Sequence, residues 1–521
     1  MSQIIQFQVS PEQAKNETFL RSRVKDILQI ENDDFQYVWR KRSVDARKSD
    51  IKINCSLEIY FKGEDIPQET YYTGQTVSEG KEVAIIGSGP AGLFAALHAI
   101  ELGLKPVVFE RGKDVRSRRR DLAKLNKEAV VNGESNYCFG EGGAGTYSDG
   151  KLYTRSKKRG SVLKALQWFV HFGADEDILV DAHPHIGTNK LPDIIVAMRE
   201  SIINNGGEVH FETKVTDFII ENNKIIGVEL NKNQIRSFDE VVLATGHSAR
   251  DIFYLLNDKG LKLNAKPFAL GVRVEHRQEF IDKIQYSGRV NDEYLPPASY
   301  ALVTQVDGQG VYSFCMCPGG IIAPCATSDG EVVTNGWSPS KRNNPYSNSG
   351  IVVTVNPEDL PNYSENDPLI ALRFQQEVEQ KCWEVAGKTQ KVPAQCLKDF
   401  VDGKVSSSFP RSSYVPGVTS VDLNKVLPSF ISKRLRKAFV DFDQKMRGFL
   451  TNDAVIHAPE SRTSSPVQIP RDKDTLEHPE VSGLYPCAEG AGYAGGIISA
   501  AIDGMKCIDA IYTKFNSSKD V

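Results

Sequence analysis

Apolar and polar positions along the chain fall into three successive textures. In the first, Met1 to about Gly80, Ile4, Phe7 and Val9 alternate as on a strand. Pro11 then starts a helix that carries Phe19, Leu20, Val24, Ile27 and Leu28 on one face. Extended runs follow around Phe35 to Val44 and Ile51 to Phe61, and the polar stretch Thr70 to Lys81 reads as a linker. From Glu82 the texture changes to short, wholly apolar strands alternating with helical patterns, the signature of an α/β sheet. Between about Leu261 and Pro470, short strands and prolines dominate, with an amphipathic helix near Phe430 to Phe449. Strand, glycine turn and helix return between Gly483 and about Phe515. No internal repeat of solenoid period is present.

The α/β texture opens on a specific device. The strand Val83-Ala84-Ile85-Ile86 runs into Gly87-Ser88-Gly89-Pro90-Ala91-Gly92, and a helix follows from Leu93 to Leu102. A second strand, Pro106 to Phe109, closes on Glu110, which lies 23 positions after Gly87 and is followed by Arg111. In a dinucleotide site Gly87 makes the tight turn, Gly89 admits the pyrophosphate, and Gly92 lets helix and strand pack closely. The helix N-terminus supplies N–H groups and partial positive charge to the diphosphate. Glu110 is placed to accept hydrogen bonds from ribose hydroxyls, which disfavours a 2′-phosphate. Farther along, Ala244-Thr245-Gly246 ends an apolar strand, and Gly483-Leu484-Tyr485 leads through Glu489-Gly490 to a helix start at Gly495-Gly496-Ile497. Contacts this far apart in sequence suit FAD, which must be held at both ends.

Two further strings fit GxGxxG, Gly140 to Gly145 and Gly490 to Gly495. The first lacks a buried strand before it and meets Asp149-Gly150 after it. The second leaves too little chain for another strand and a ribose acid. Both read as loops touching FAD, with Gly142, Gly143 and Gly145 as contacts in the first. NAD(P)H, if used, would then bind transiently as a reductant.

The strings VAIIGSGPAGLFAAL, FGEGGAGTYSDGKLYT, ATGHSARDIF, ESRTSSPV and GLYPCAEGAGYAGGIISAAIDG resemble the glutathione-reductase-like FAD superfamily. Within it the chain is similar to the bacterial FAD-dependent dehydrogenases called NAD(FAD)-utilizing dehydrogenases. The resemblance implies a flavoprotein with noncovalent FAD and supplies no substrate. The expected architecture is a Rossmann-like FAD-binding domain in two parts, residues 81–260 and 471–521. An α+β cap or substrate domain, residues 261–470, is inserted between them, and a small N-terminal α/β domain, residues 1–80, precedes them. A helix terminus near Ile497 would favour negative charge on reduced flavin by roughly 1–2 kcal/mol.

Candidate chemistry beyond the cofactor is sparse. His183-Pro184-His185, His247 beside the Thr245-Gly246 turn, and Arg462, a possible clamp for an anionic substrate, are the weak catalytic candidates. Cys315-Met316-Cys317 with Cys325 has neither zinc spacing nor the reach of a relaxed disulfide, so no metal is expected and these read as buried thiols. The basic cluster Arg40, Lys41, Arg42, Arg47, Lys48 is interleaved with acids and reads as a solvated face rather than an RNA site. With 63 basic and 67 acidic side chains the formal net charge is -4, so no global positive field gathers nucleic acid or anionic lipid. The expected partner is a small-molecule substrate. Nine scattered cysteines, no signal-peptide pattern and no long apolar run point to a cytoplasmic protein without a membrane span. The competing enzymatic reading is a flavin monooxygenase.

Overall fold

The computed structural model describes residues 2–67, 70–154 and 160–517. Its centre is a parallel sheet of five strands in the order Leu484–Pro486, Val241–Leu243, Glu82–Ile86, Lys105–Phe109, Glu208–His210. The central strands are apolar apart from Glu82 and Lys105 at their starts because both faces are covered, whereas the edge strand Glu208–His210 is half-buried. Val83, Ile85, Val108 and Val242 point to a helical layer that includes Pro90–Glu101, Val162–His171, Leu191–Asn204 and Ile497–Ser517. Ala84, Ile86, Val107 and Phe109 point the other way, under the helix Arg250–Asp258 and an antiparallel meander of Val215–Glu221, Lys224–Leu230 and Gln234–Ser237. The glycine-turn helix begins at Pro90, earlier than Leu93, because proline suits the first helical position. It packs along the C-terminal helix so closely that a Cβ at Gly504 would lie 2.1 Å from the Ala91 carbonyl oxygen.

A second sheet of seven strands runs in the order Val303–Val306, Gln309–Cys317, Tyr346–Val355, Phe268–Arg277, Val455–Glu460, Val392–Cys396, Val418–Ser420. Neighbours are antiparallel except the last pair. The amphipathic helix, Ser429–Lys445, lays Ile431, Leu435, Phe439 and Phe442 into its core. It stops short of Phe449, where Gly448 takes a left-handed conformation (φ +94°). Phe449 still packs against Phe439 and Phe442.

The N-terminal unit is a three-stranded antiparallel sheet, Gln3–Val9, Lys52–Phe61, Phe35–Asp45, with the helix Glu17–Leu28 on it. Leu57 and Ile59 lie under that helix, whereas Ile53 and Cys55 enter the core of the seven-stranded sheet. The basic cluster here is largely engaged. Arg40 pairs with Glu58, Arg42 with Asp177 and Asp181 (both 2.9 Å), and Arg47 with Asp45. Among the described residues no helix is long and apolar enough to cross a membrane.

Candidate functional site

Strand order in the parallel sheet reverses at Glu82–Ile86: the chain first crosses to Lys105–Phe109 on one side and later places Val241–Leu243 on the other. A crevice beyond the carboxyl ends of such strands is where open α/β sheets bind ligands. A cavity open to solvent lies there. Two helices aim their N-termini at it, with Pro90 and Ala91 from one and Ile497 and Ala500 from the other.

The three glycines of the first turn do different work. Gly87 is left-handed (φ +102°), and a Cβ on it would meet the Ala244 carbonyl oxygen at 2.6 Å. A Cβ on Gly92 would lie 1.9 Å from the Gly87 oxygen, so this glycine stands behind the wall and serves packing. Gly89 has φ -70° and ψ -175°, an extended conformation open to any residue. A Cβ there would meet no protein atom nearer than Gly143 Cα at 3.9 Å, and it would project toward the cavity that Gly89 lines. Space, not backbone geometry, accounts for glycine at this position.

Glu110 also lines the cavity, yet its carboxylate is engaged more heavily than a simple ribose acceptor requires. One oxygen accepts from the Ser88 N–H (3.0 Å) and hydroxyl (2.8 Å), the other from the N–H groups of Gly112 (2.9 Å) and Gly140 (3.0 Å). Four donors use the whole acceptor capacity of a carboxylate. Glu110 thus ties three loops together, and the Ser88 hydroxyl is the one rotatable donor among the four. Ser88 itself is buried off the wall. Arg111 reaches the wall but is anchored by Glu134 (2.6 Å) and Asp251 (2.9 Å).

The Gly140 loop makes one 3₁₀ turn, Gly143–Gly145, and both of those residues line the cavity. Gly142 does not; its N–H donates to the Ser88 carbonyl (2.8 Å) and locks this loop to the first turn. What orders the loop is Arg118, fully buried, which donates to the carbonyls of Asn136, Tyr137, Glu141 and Gly143. In the sequence Arg118 is one of several arginines on a basic helix, and nothing there singles it out.

Thr245, Gly246, His247 and Glu489 form the next wall. Glu489 accepts from the Gly496 N–H, so it closes the turn that starts the C-terminal helix. Burial pushes its carboxyl above the ordinary value, opposed by that hydrogen bond. Gly496 and Ile497 line the cavity, whereas Gly490 and Gly495 do not. Gly490 packs against Gly246, whose carbonyl oxygen would lie 2.9 Å from a Cβ, and exposed Gly495 donates to the Ser499 hydroxyl (3.1 Å). The first extra glycine string therefore reaches the cavity through Gly143 to Gly145, whereas the second lies off the wall between Glu489 and Gly496, which line it. Among the described residues the only sheet with an all-parallel core of several strands is the one above.

The catalytic candidates separate, and His183 lies off the wall with its ring edge-on to Tyr153. His247 is on the wall, 3.9 Å from Glu489, and burial together with Arg462 and Arg250 pulls its pKa down to about 4. His185 is off the wall, its Nε2 within 3.1 Å of the Ser340 carbonyl. Arg462 is also off the wall: it pairs with Glu379 (3.0 Å) and Glu331 (3.4 Å), and Arg250 binds the same two acids (both 2.7 Å). This closed network of two arginines and two glutamates replaces the expected substrate clamp.

Among the wall groups that went unrecognised from sequence are Asp149, Lys151 and Cys315. Asp149 and Lys151 follow the glycine loop directly, which is a usable signal. Cys315 comes from the second sheet, and the expectation of a buried thiol is corrected for it. Lys151 Nζ lies 3.7 Å from the sulfurs of both Cys315 and Cys317 and 3.4 Å from Asp149. Against burial, Lys151 and Arg342 hold the Asp149 carboxyl below its ordinary value.

Comparison with known proteins gives consistent labels. Residues 82–123 match an FAD binding domain, residues 267–463 an FAD-dependent protein, C-terminal domain-like family, and residues 1–60 a domain of unknown function. An uncharacterized protein of Clostridium beijerinckii is 39% identical over 499 residues, 92% of each chain. Among solved structures, a geranylgeranyl bacteriochlorophyll reductase-like protein of Thermoplasma acidophilum is 13% identical, with 84% of this chain and 80% of that one covered at a TM-score of 0.35. The L-proline dehydrogenase of P. horikoshii is also 13% identical, with 84% and 94% covered at a TM-score of 0.33. Superpositions this loose carry no argument about function.

Proposed function

From the premise that the chain belongs to one family with the Clostridium beijerinckii protein, and carries an FAD-binding-domain match at its first glycine turn, we propose that it is an FAD-dependent oxidoreductase with noncovalent FAD. Its substrate is a small molecule. The observation that carries this reading is Gly89, whose backbone suits any residue and whose missing side chain keeps the cavity clear at a helix N-terminus. A cofactor diphosphate fits there, opposite N–H groups that have no partner within the helix. Glu110 fits the adenosine ribose once the Ser88 hydroxyl turns away. Gly143, Gly145 and Thr245 would flank the diphosphate and ribityl chain, with Gly496 and Ile497 at the flavin end. Bound FAD would supply two-electron chemistry, and hydride transfer to it asks the protein chiefly for positioning.

In its finer form the proposal places the chain among the NAD(FAD)-utilizing dehydrogenases, with NAD(P)H as a transient reductant over the same cavity. Pairing of Arg40, Arg42 and Arg47 with acids favours the small-molecule reading over an RNA-associated flavoprotein.

Acid release and chromatography of nucleotide from purified protein test the reading, and FAD is the expected product. Recovery of NAD alone, or of nothing after reconstitution, overturns it. Gly89→Val should abolish FAD binding while leaving the circular dichroism spectrum unchanged, since the new side chain enters cavity space. Anaerobic reduction with NADH and NADPH, then a screen of acceptors including oxygen, separates dehydrogenase from monooxygenase chemistry.

A further inference from the structure

The strand Gln309–Cys317 breaks its pairing with Tyr346–Val355 between Phe314 and Cys317. At that break Cys315 takes a left-handed conformation (φ +47°), which non-glycine residues adopt only under tertiary constraint. A β-bulge re-aims side chains, and this one directs Cys315 to the wall of the main cavity while Cys317 stays buried behind it. A single ammonium, Lys151 Nζ, lies 3.7 Å from each of the two sulfurs. Arg273, fully buried, donates to the Cys315 carbonyl (3.3 Å) and fixes the bulge from the other side.

We propose that Cys315 and Cys317 form a thiol–disulfide exchange site in the cavity wall, Cys315 as the attacking sulfur and Cys317 as the resolving one, acting on low-molecular-weight disulfides and thiols.

The environment divides the two roles. Donation from Cys317, reinforced by Lys151 and Arg273, holds the Cys315 thiol well below its ordinary value against burial. Interaction with Cys315, together with burial, holds Cys317 well above its ordinary value, and the Cys317 thiol donates to the Cys315 carbonyl oxygen (3.3 Å). Of the two sulfurs, the one that faces the cavity beside the Lys151 ammonium is therefore the more readily ionised. Low pKa combined with access is what marks a reactive thiol.

In the forward direction the Cys315 thiolate attacks one sulfur of a small disulfide. A mixed disulfide forms, the substrate's S–S bond breaks, and one thiolate leaves. Cys317 then passes its proton to that thiolate and attacks the Cys315 sulfur, which closes the Cys315–Cys317 bond and expels the second thiolate. Two protein sulfurs are oxidised by two electrons in all, and one disulfide is reduced to a thiol and a thiolate. Ring closure between cysteines only two positions apart is strained, and the reduced form is stabilised as a thiolate. Both effects make the oxidised pair readily reducible, so the exchange runs back with excess thiol.

The test uses the FAD-loaded protein and mass spectrometry, with flavin content recorded in every sample so that loss of FAD is scored separately. Iodoacetamide at about pH 6, where an ordinary thiol is almost wholly protonated, should label Cys315 ahead of Cys138, which lines the same cavity. Lys151→Met should slow that labelling roughly tenfold. With glutathione disulfide, Cys317→Ser should accumulate a glutathione adduct on Cys315, whereas the unaltered protein should show an internal Cys315–Cys317 bond and no adduct. Labelling of Cys315 no faster than Cys138, or absence of the adduct in a folded, flavin-loaded Cys317→Ser protein, overturns the proposal.

Discussion

Replacing Glu110 with alanine should damage the protein even before cofactor binding enters. The carboxylate is 5% exposed and accepts from three backbone N–H groups and one hydroxyl, at 2.8–3.0 Å. At a net value of about 1 kcal/mol per hydrogen bond, the four together contribute about 4 kcal/mol to holding the three loops in register. Converted at 1.4 kcal/mol per tenfold, local opening should become roughly a thousandfold more frequent. Hydrogen exchange on FAD-free protein reads this directly: the amides of Ser88, Gly112 and Gly140 should lose protection in Glu110→Ala, while those of the seven-stranded sheet keep theirs. FAD affinity should fall as well, because the loops that line the cavity are no longer held. Unchanged protection at the three amides, with FAD affinity alone reduced, would refute the loop-tying role and return Glu110 to a simple ribose acceptor.

Arg462→Met leaves Glu331 and Glu379 with Arg250 as their remaining arginine, and breaking a buried network of this kind costs about 3–5 kcal/mol. A lowered unfolding midpoint with unchanged FAD affinity is expected; unchanged stability with lost substrate affinity would restore the clamp. His247→Gln should flatten the acid limb of the stability profile. With its folded pKa near 4 against an ordinary 6.5, folded His247 binds fewer protons than the unfolded chain, so stability falls as pH drops from 6.5 toward 4. Unfolding free energies from denaturant titrations across that window should differ from the unaltered protein by up to about 3 kcal/mol, and parallel curves would contradict the assignment.

The nucleotide fold was legible because its signal is local. Val83 to Gly92 and Glu110 sit within one βαβ unit, so turn, helix start and strand end can be read from consecutive residues. The C-terminal return was legible for the same reason, as a strand, a glycine turn and a helix at Ile497. Groups whose role is set by distant partners were not legible. Arg118 is one of several arginines in its helix until the loop at 136–143 folds over it. Arg462 looks like an anion clamp until the acids at 331 and 379 arrive from other elements. Cys315 looks like a core thiol because a strand pattern does not announce a bulge, and the bulge alone turns it to the cavity. Glycines divided in the same way: Gly87 and Gly92 follow from the turn, whereas the contact of Gly490 with Gly246 needs two strands that are distant in sequence.

This division bears on where specificity resides. Around the nucleotide half of the cavity the charged groups are spent on structure: Glu110 on three loops, Arg111 on two acids, Arg118 on four carbonyls. In the proposed reading such groups fix the cofactor's seat and have little capacity left to choose a second ligand. Elsewhere on the wall Lys151 and Cys315 face the cavity together, with Asp149 held between Lys151 and Arg342, and Cys315 arrives on a strand of the second sheet. A family that keeps its nucleotide fold can therefore change substrate by altering the loop at 149–151 and the bulge at 315, at no cost to the parallel sheet. Substitutions at Lys151 should accordingly move substrate preference while FAD content stays constant, and substitutions at Arg111 or Arg118 should do the reverse.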